Sequence, residues 1–236
     1  MSRGQDVRAM FSKIARTYDL LNTVLSFGRH HAWRREFAAE LLAGLGERPV
    51  VLEVCAGTGD TALACTQRCA HCRVVGIDFS QPMLAVFLKK AARRGVSGRT
   101  LVICADALRL PVAGGSCDAV ACTWGARNLS DLAAGVREMW RCLRPGGRLG
   151  VIDFFRPEAN LAHCLASWYV KLVIPPLGGL LSRDLRAYAY LPGSIARFAS
   201  RGEFAELLRG VGFENIRTRE MTLGVATLFF AEKPAR

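Results

Sequence analysis

Ten residues carry the densest chemical signal in this sequence: Val51-Leu52-Glu53-Val54-Cys55-Ala56-Gly57-Thr58-Gly59-Asp60. An apolar run meets two closely spaced glycines, with a carboxylate on either side. A glycine-rich turn leaving a strand lets the backbone approach a ligand that side chains would obstruct. Gly57 and Gly59 are placed for that role. Asp78 follows Gly59 by nineteen residues, at the end of Val75-Gly76-Ile77-Asp78, where its carboxylate can accept hydrogen bonds from two ribose hydroxyls. Asp106-Ala107 follows a third apolar run and is placed to meet an adenine ring.

These positions call for a nucleoside cofactor, but glycine count does not choose which one. Ala62 would complete the G-x-G-x-x-A spacing that dinucleotide sites tolerate. The flanking carboxylates discriminate. Glu53 and Asp60 would repel a pyrophosphate, whereas S-adenosylmethionine, a sulfonium with an amino group, tolerates them. Methyl transfer is then the expected chemistry. Each feature alone has an ordinary reading as a tight turn, a helix cap or a turn residue. Their arrival at successive strand ends argues for a site.

The elements that must position these residues follow from periodicity. Val7, Met10, Phe11, Ile14 and Tyr18 recur at helical spacing, and a second amphipathic segment runs from about Trp33 to Leu45. Strands are expected at 50–55, 73–77, 100–104, 117–123 and 148–154. Helices alternate with them, one opening at Pro82 and closing at Gly95. After a helix at Glu203 to Gly210, the runs Asn215 to Met221 and Gly224 to Ala231 are joined closely enough to pair as a hairpin. The expected fold is α/β: a Rossmann-like class I methyltransferase, with helices on both faces of a mostly parallel seven-stranded sheet that ends in an antiparallel hairpin. One domain is expected over 1–236, with an N-terminal helical lid at 5–45 and a helical cap insertion at about 158–200. Lys171 and Pro175-Pro176 interrupt the apolar insertion before it could span a bilayer.

Composition bounds the alternatives. The 236 residues, 51% hydrophobic, suffice for one substantial core. The polar start lacks an apolar targeting run, so a cytoplasmic location is expected. Nine cysteines, mostly inside apolar runs, read as reduced buried thiols. Cys65-x-x-x-Cys69-x-x-Cys72 has the spacing of the cluster motif of radical enzymes, but it starts on a helix and ends at a strand, so no metal is expected. The formal charge of +12 favours anionic partners. Basic residues are scattered and no nucleic-acid module is visible; the ordinary reading of their short clusters is a solvated face, and the functional one is peripheral contact with an anionic membrane surface.

Beyond the cofactor turn, the chain resembles the UbiE/MenG family of ubiquinone and menaquinone biosynthesis C-methyltransferases. Phe11-Ser12-Lys13-Ile14-Ala15-Arg16-Thr17-Tyr18-Asp19-Leu20-Leu21-Asn22, continuing through Ser26-Phe27-Gly28 to His31 and Trp33, is similar to that family's first signature, with Leu21 in place of its usual Met. The second signature is looser: Cys142 and Arg144 replace Val and Lys, and Asp153 and Phe155 replace Glu and Ser. Trp124-Gly125-Ala126-Arg127-Asn128, Tyr188-x-Tyr190-Leu191, Ser194-Ile195 and Gly212-Phe213 continue the match. The resemblance implies S-adenosylmethionine at Thr58, Asp78, Asp106, Ala107 and Thr123, and chemistry at Arg127 and Asn128. Tyr18, Gly57, Gly59, Asp60 and Phe79 complete the expected cofactor set.

The implied substrate is a reduced polyprenyl quinone precursor, naphthoquinol or benzoquinol, with peripheral contact at the inner face of the membrane; a homodimer is left open. A ring carbon becomes nucleophilic when a neighbouring hydroxyl loses its proton, so the enzyme must stabilise that oxyanion or relay its proton. Arginine is too weak an acid to act as the base, so Arg127 is expected to stabilise the oxyanion or orient a water, with Asn128 holding the oxygen. The plain alternative for Arg127 is a salt bridge to a carboxylate such as Asp131. His30 and His31 are not assigned to chemistry.

Overall fold

The computed structural model describes residues 3–15, 17–157, 185–222 and 224–235, with one seven-stranded sheet among them. Three helices come first: α1 (Arg3–Ile14), α2 (Tyr18–Leu25) and α3 (Arg29–Leu41). The alternating part follows as β1 (Val50–Val54), α4 (Asp60–Arg68), β2 (Arg73–Asp78), α5 (Gln81–Arg93), β3 (Thr100–Cys104), β4 (Cys117–Thr123), α6 (Leu132–Cys142) and β5 (Leu143–Asp153). The description resumes with α7 (Leu185–Arg197), α8 (Arg201–Val211), β6 (Glu214–Met221) and β7 (Ala226–Glu232). The segment read as a cap therefore lies outside the described residues as far as 184, and so does the side chain of Tyr188.

The strand order is β3-β2-β1-β4-β5-β7-β6. The first five strands run parallel, and β7 is antiparallel to both β5 and β6, as expected of the C-terminal hairpin. Strand order reverses between β1 and β4, so the carboxyl ends of these neighbours open a crevice at a topological switch point. The glycine turn leaves β1 there, and the Arg127-Asn128 turn leaves β4 beside it.

Residue chemistry explains the placement. In β4, Cys117 and Ala119 through Cys122 are at most 1% exposed, as a central strand covered on both faces requires. In β6, Arg217, Arg219 and Glu220 place charge along an outer edge, where it discourages pairing with another chain. The fifth strand starts at Leu143, five residues before the expected 148. Leu143 already pairs with Cys117, and the register shifts before Ala119 meets Arg148.

Helix α3 fixes the approach to the crevice. Phe37, Ala38 and Leu41 are fully buried, and the Phe37 ring stacks on Phe230 of β7 at 5.4 Å. Burying Phe37 and Leu41 contributes roughly 1.5–3 kcal/mol each relative to exposure. Trp33 and Arg34 lie one turn earlier on the same face, so the packing that seats α3 also carries them to the carboxyl edge.

Candidate cofactor and active site

The turn after β1 is held from β2. Asp78 accepts hydrogen bonds from the Gly57 amide on Oδ2 (2.9 Å) and from the Ser80 amide on Oδ1 (2.8 Å). Burial raises the pKa of its carboxyl, while those backbone donors act against the shift. Each oxygen keeps a further lone-pair direction for a ligand hydroxyl. The backbone is left-handed at Gly57 (φ 54°), and nothing lies within 4 Å of where a Cβ would project, so the turn leaves space at its crest.

The second glycine has a different function. A Cβ on Gly59 would overlap the ring of Phe87, which is fully buried beneath the turn, and φ is 78°. Gly59 serves packing and lines neither of the cavities described here. Gly59→Ala is expected to destabilise the protein by roughly 2–4 kcal/mol through overpacking and backbone strain. A urea midpoint unchanged from that of the parent would remove this role.

A cavity of about 480 Å³ opens over the carboxyl ends of β1, β2 and β4, within the usual range of roughly 300–1,000 Å³ for small-molecule sites. Gly57, Asp78, Phe79, Asp106, Ala107 and Thr123 line it, together with Tyr18 and Asn128. The structure thus brings eight of the twelve sequence-predicted residues into one space. Asp106 braces its own turn by accepting the Leu108 amide on Oδ1 (2.9 Å), and Thr123 shares a buried hydroxyl contact with Thr61 (2.8 Å). Tyr18 packs edge-on to Phe11 at 6.0 Å, and burial raises its phenol's pKa. Phe11, Met83, Trp124 and Leu129 make much of the remaining wall apolar.

Thr58 and Asp60 instead border an adjoining recess of about 20 Å³. The Thr58 hydroxyl donates to Asp19 of α2 at 2.6 Å, and Lys90 of α5 bonds Asp19 (2.8 Å) and Asp60. Asp60 also faces Arg34 at 3.6 Å. Burial works to raise the Asp60 pKa, but Arg34 and Lys90 outweigh it and hold the group below the usual carboxylate range.

Glu53 departs from the sequence argument. Its side chain points beneath α4 and accepts the Ala62 amide at 2.9 Å, and burial pushes its pKa up to about 8. The two carboxyl groups that flank the turn in sequence, Asp60 and Glu53, are therefore one compensated ion and one acid that is mostly neutral at pH 7. Repulsion of a pyrophosphate is weaker than the sequence suggested. Because folding raises this pKa, the folded chain holds a proton that the unfolded chain releases. The Glu53 contribution is full below the unfolded value near 4.5 and is lost as pH climbs through about 8. Glu53→Gln keeps the bond from Ala62 and is expected to flatten the decline in stability between those pH values. A denaturation series showing the same slope in parent and variant would contradict this.

Arg127 and Asn128 form a short turn behind Trp124, whose own φ of 61° is unusual for an aromatic residue. The partner of Arg127 is not Asp131, which caps α6 by accepting the Ala134 amide. It is Asp153 at the end of β5. Arg127 Nη1 donates to Asp153 Oδ1 (2.5 Å) and to the Trp124 carbonyl (2.7 Å), and the Arg127 amide donates to Asp153 Oδ2 (3.0 Å). The guanidinium lies 5.3 Å over the Phe154 ring, and its buried Nε has no hydrogen-bond partner. Arg127 does not itself line the cavity, whereas Asn128 does. Asn128 Nδ2 donates to the Trp124 carbonyl (3.2 Å), and its Oδ1 accepts from the hydroxyl of Tyr190 on α7 (3.2 Å).

Cys65 and Cys72 are buried, and desolvation raises both, Cys72 to about 12. Among the described residues, no group of three His, Cys, Asp or Glu side chains could hold a metal ion. His30 is buried against Ser26 (2.7 Å), where desolvation lowers its pKa to about 4, and it lines neither cavity.

The sequence profile of the ubiE/COQ5 methyltransferase family matches residues 1–233. The chain belongs to that family. A demethylmenaquinone methyltransferase of Deinococcus radiodurans is 42% identical over 231 residues, covering 98% of this chain and 94% of the relative. The ubiquinone/menaquinone biosynthesis C-methyltransferase UbiE of Geotalea daltonii is 38% identical over 232 residues, covering 98% and 97%. A crystal structure of a SAM-dependent methyltransferase from Thermotoga maritima shares the fold, with a TM-score of 0.64, 17% identity and coverage of 95% of this chain and 99% of that one. The ubiE/COQ5 chain described here has the class I methyltransferase fold expected from its sequence.

Membership in the ubiE/COQ5 family implies S-adenosylmethionine, and the residues present fit it. The space at Gly57, the braced carboxylate of Asp78 and the Asp106-Ala107 turn bound one cavity. Sequence reasoning did not assign Arg34, Lys90, Asp153 or Tyr190 to the site. Arg34 directly follows the signature residue Trp33, and Tyr190 belongs to the family match, so both carry a signal in the sequence. Lys90 had none, because only the packing of α5 brings it to the turn.

Proposed function

We propose that the chain is an S-adenosylmethionine-dependent C-methyltransferase that acts on the ring of a reduced polyprenyl quinone precursor. The observation that carries this reading is one cavity that joins the nucleoside-side residues of β1 to β3 with Asn128 and an apolar wall. The names of the relatives support the substrate class. S-adenosylmethionine, when bound, supplies an electrophilic methyl group. Asp78 accepts from its ribose hydroxyls, Asp106 and Ala107 border the adenine, and Gly57, Phe79, Thr123 and Tyr18 shape the path between. Thr58, Asp60 and Gly59 act at one remove by fixing the turn and α2.

The acceptor hydroxyl lies toward Asn128, whose amide helps hold the oxygen. Arg127, oriented by Asp153 directly behind Asn128, supplies positive charge that stabilises the developing oxyanion and orients a water that carries the proton to solvent. The aromatic and aliphatic wall excludes bulk water and strengthens this charge interaction.

A polyprenyl substrate resides in a membrane, and peripheral contact with an anionic surface suits the charge of +12. Among the described residues, no helix is long and apolar enough to cross a bilayer. Leu20 and Val24 are exposed on α2, the helix that also lends Tyr18 to the cavity. Flotation with anionic vesicles is the test of contact; equal flotation with zwitterionic vesicles would assign it to apolar insertion alone. The substrate class is tested by expressing the chain in cells that lack their own quinone ring methyltransferase. Accumulation of methylated quinone supports the proposal, and unchanged precursor overturns it.

A further inference from the structure

Asp106, Ala107 and Leu108 reach the large cavity on an irregular stretch of chain between β3 and β4. The start of that stretch is tied to the sheet, where the Ala105 amide donates to the Asp78 carbonyl at 3.1 Å, and the Leu108 and Arg109 amides donate back to Asp106. Further on the chain has less of its own to hold it, because Pro111 lacks an amide hydrogen. Helix α6 supplies the hold from outside. Glu138 Oε2 accepts the Leu110 amide (2.8 Å), and Arg141 donates from Nη2 to the Leu110 carbonyl (2.9 Å) and from Nη1 to the Val112 carbonyl (2.7 Å).

The two side chains also fix each other. Arg141 Nε meets Glu138 Oε1 (2.7 Å) and Nη2 meets Oε2 (2.8 Å), the two-point geometry of a guanidinium on a carboxylate, and these bonds hold the Glu138 carboxyl below the usual range. The Arg141 carbonyl then accepts the Gly115 amide at 2.9 Å, which ties the far end of the stretch to the same helix. A half-exposed ion pair of this kind adds little to stability by itself, so its grip on the backbone of Leu110 and Val112 is what sets it apart. Helix α6 backs the cavity directly as well. A Cβ on Gly135, three residues before Glu138, would come within 2.6 Å of Leu129 and 3.7 Å of Leu108, and both of those side chains line the cavity.

We infer that Glu138 and Arg141 are positioning residues, a clamp on α6 that holds the Asp106–Leu108 turn in place against the adenine and thereby sets the site's selectivity for that base. This rests on the cofactor reading above and adds to it two residues that border neither cavity. Leu110 transmits the hold. Its side chain is buried in the core at 4% exposure, its amide and carbonyl are both taken by the clamp, and it lies two residues past Leu108, whose own amide occupies Asp106 Oδ1. Release of the clamp therefore frees the turn that aims the Asp106 carboxylate, while Asp78 and the glycine turn stay as they are.

The test is calorimetry on the full chain with S-adenosylhomocysteine and S-inosylhomocysteine, which carries a carbonyl oxygen in place of the adenine amino group. In the parent, that exchange is expected to weaken binding roughly 5- to 50-fold, because Asp106 then faces an acceptor instead of a donor. In Arg141→Gln the ratio of the two affinities is expected to fall below about three-fold, since the turn no longer holds its carboxylate to one position. Glu138→Gln keeps an oxygen for the Leu110 amide and should retain most of the parent's ratio. Arg141→Lys, with an intermediate ratio, serves as the second variant if Arg141→Gln does not fold. Loss of folded protein alone would weaken both ligands alike and leave the ratio unchanged. The parent's ratio in a folded Arg141 variant would overturn the clamp and leave the cofactor reading standing. A parent that binds both ligands equally places the base away from this turn, and one that binds neither removes the cofactor reading; either result overturns the assignment.

Discussion

Arg127→Ala is expected to lower turnover by roughly 100- to 10,000-fold, the span of lost general acid–base and electrostatic assistance. Affinity for S-adenosylhomocysteine should stay within about three-fold of the parent, because Arg127 borders neither the large cavity nor the recess. The variant strands Asp153, which is fully buried, and breaking such a pair costs roughly 3–5 kcal/mol. Turnover must therefore be compared at a temperature where circular dichroism shows both proteins folded. Arg127→Lys keeps a charge near Asp153 and loses the planar fork, so intermediate turnover is expected. Equal loss of affinity and turnover would reduce Arg127 to a structural ion pair.

Asp78→Ala should act on the opposite quantity. It removes the acceptor of the Gly57 and Ser80 amides together with both proposed ribose contacts. Three or more charge-assisted hydrogen bonds at roughly 1.5–3 kcal/mol each give scope for a loss of cofactor affinity exceeding about 1,000-fold. Asp78→Asn preserves the shape but has one acceptor oxygen and no charge, so a smaller loss, on the order of 10-fold, is expected. Calorimetry with S-adenosylhomocysteine separates the variants. Wild-type affinity in Asp78→Ala would move the nucleoside away from β2.

The parts of the site legible in the sequence were those encoded locally. Gly57 and Asp78 lie at strand ends whose positions follow from apolar runs, so a tight turn and a carboxylate across from it could be placed without coordinates. The fold was legible for the same reason: strand and helix lengths restrict an alternating chain to few topologies. Three readings needed tertiary information. The alternation of β1 sends Glu53 beneath α4, where burial raises its pKa and changes the argument built on its charge. Gly59 is required by the Phe87 ring, a contact across 28 residues of sequence that no turn rule reveals. Arg127 selects Asp153, 26 positions away, because β4 and β5 are neighbours and Asp131 is already committed to the start of α6.

The central claim, methyl transfer to a quinol ring carbon, is tested most directly by incubating the purified protein with methyl-labelled S-adenosylmethionine and chemically reduced demethylmenaquinone or its benzoquinol counterpart. The account predicts label attached to a ring carbon of at least one acceptor, with little or none when Arg127→Ala replaces the parent. Label on oxygen, or no transfer to either quinol by a protein that binds S-adenosylhomocysteine, would contradict it.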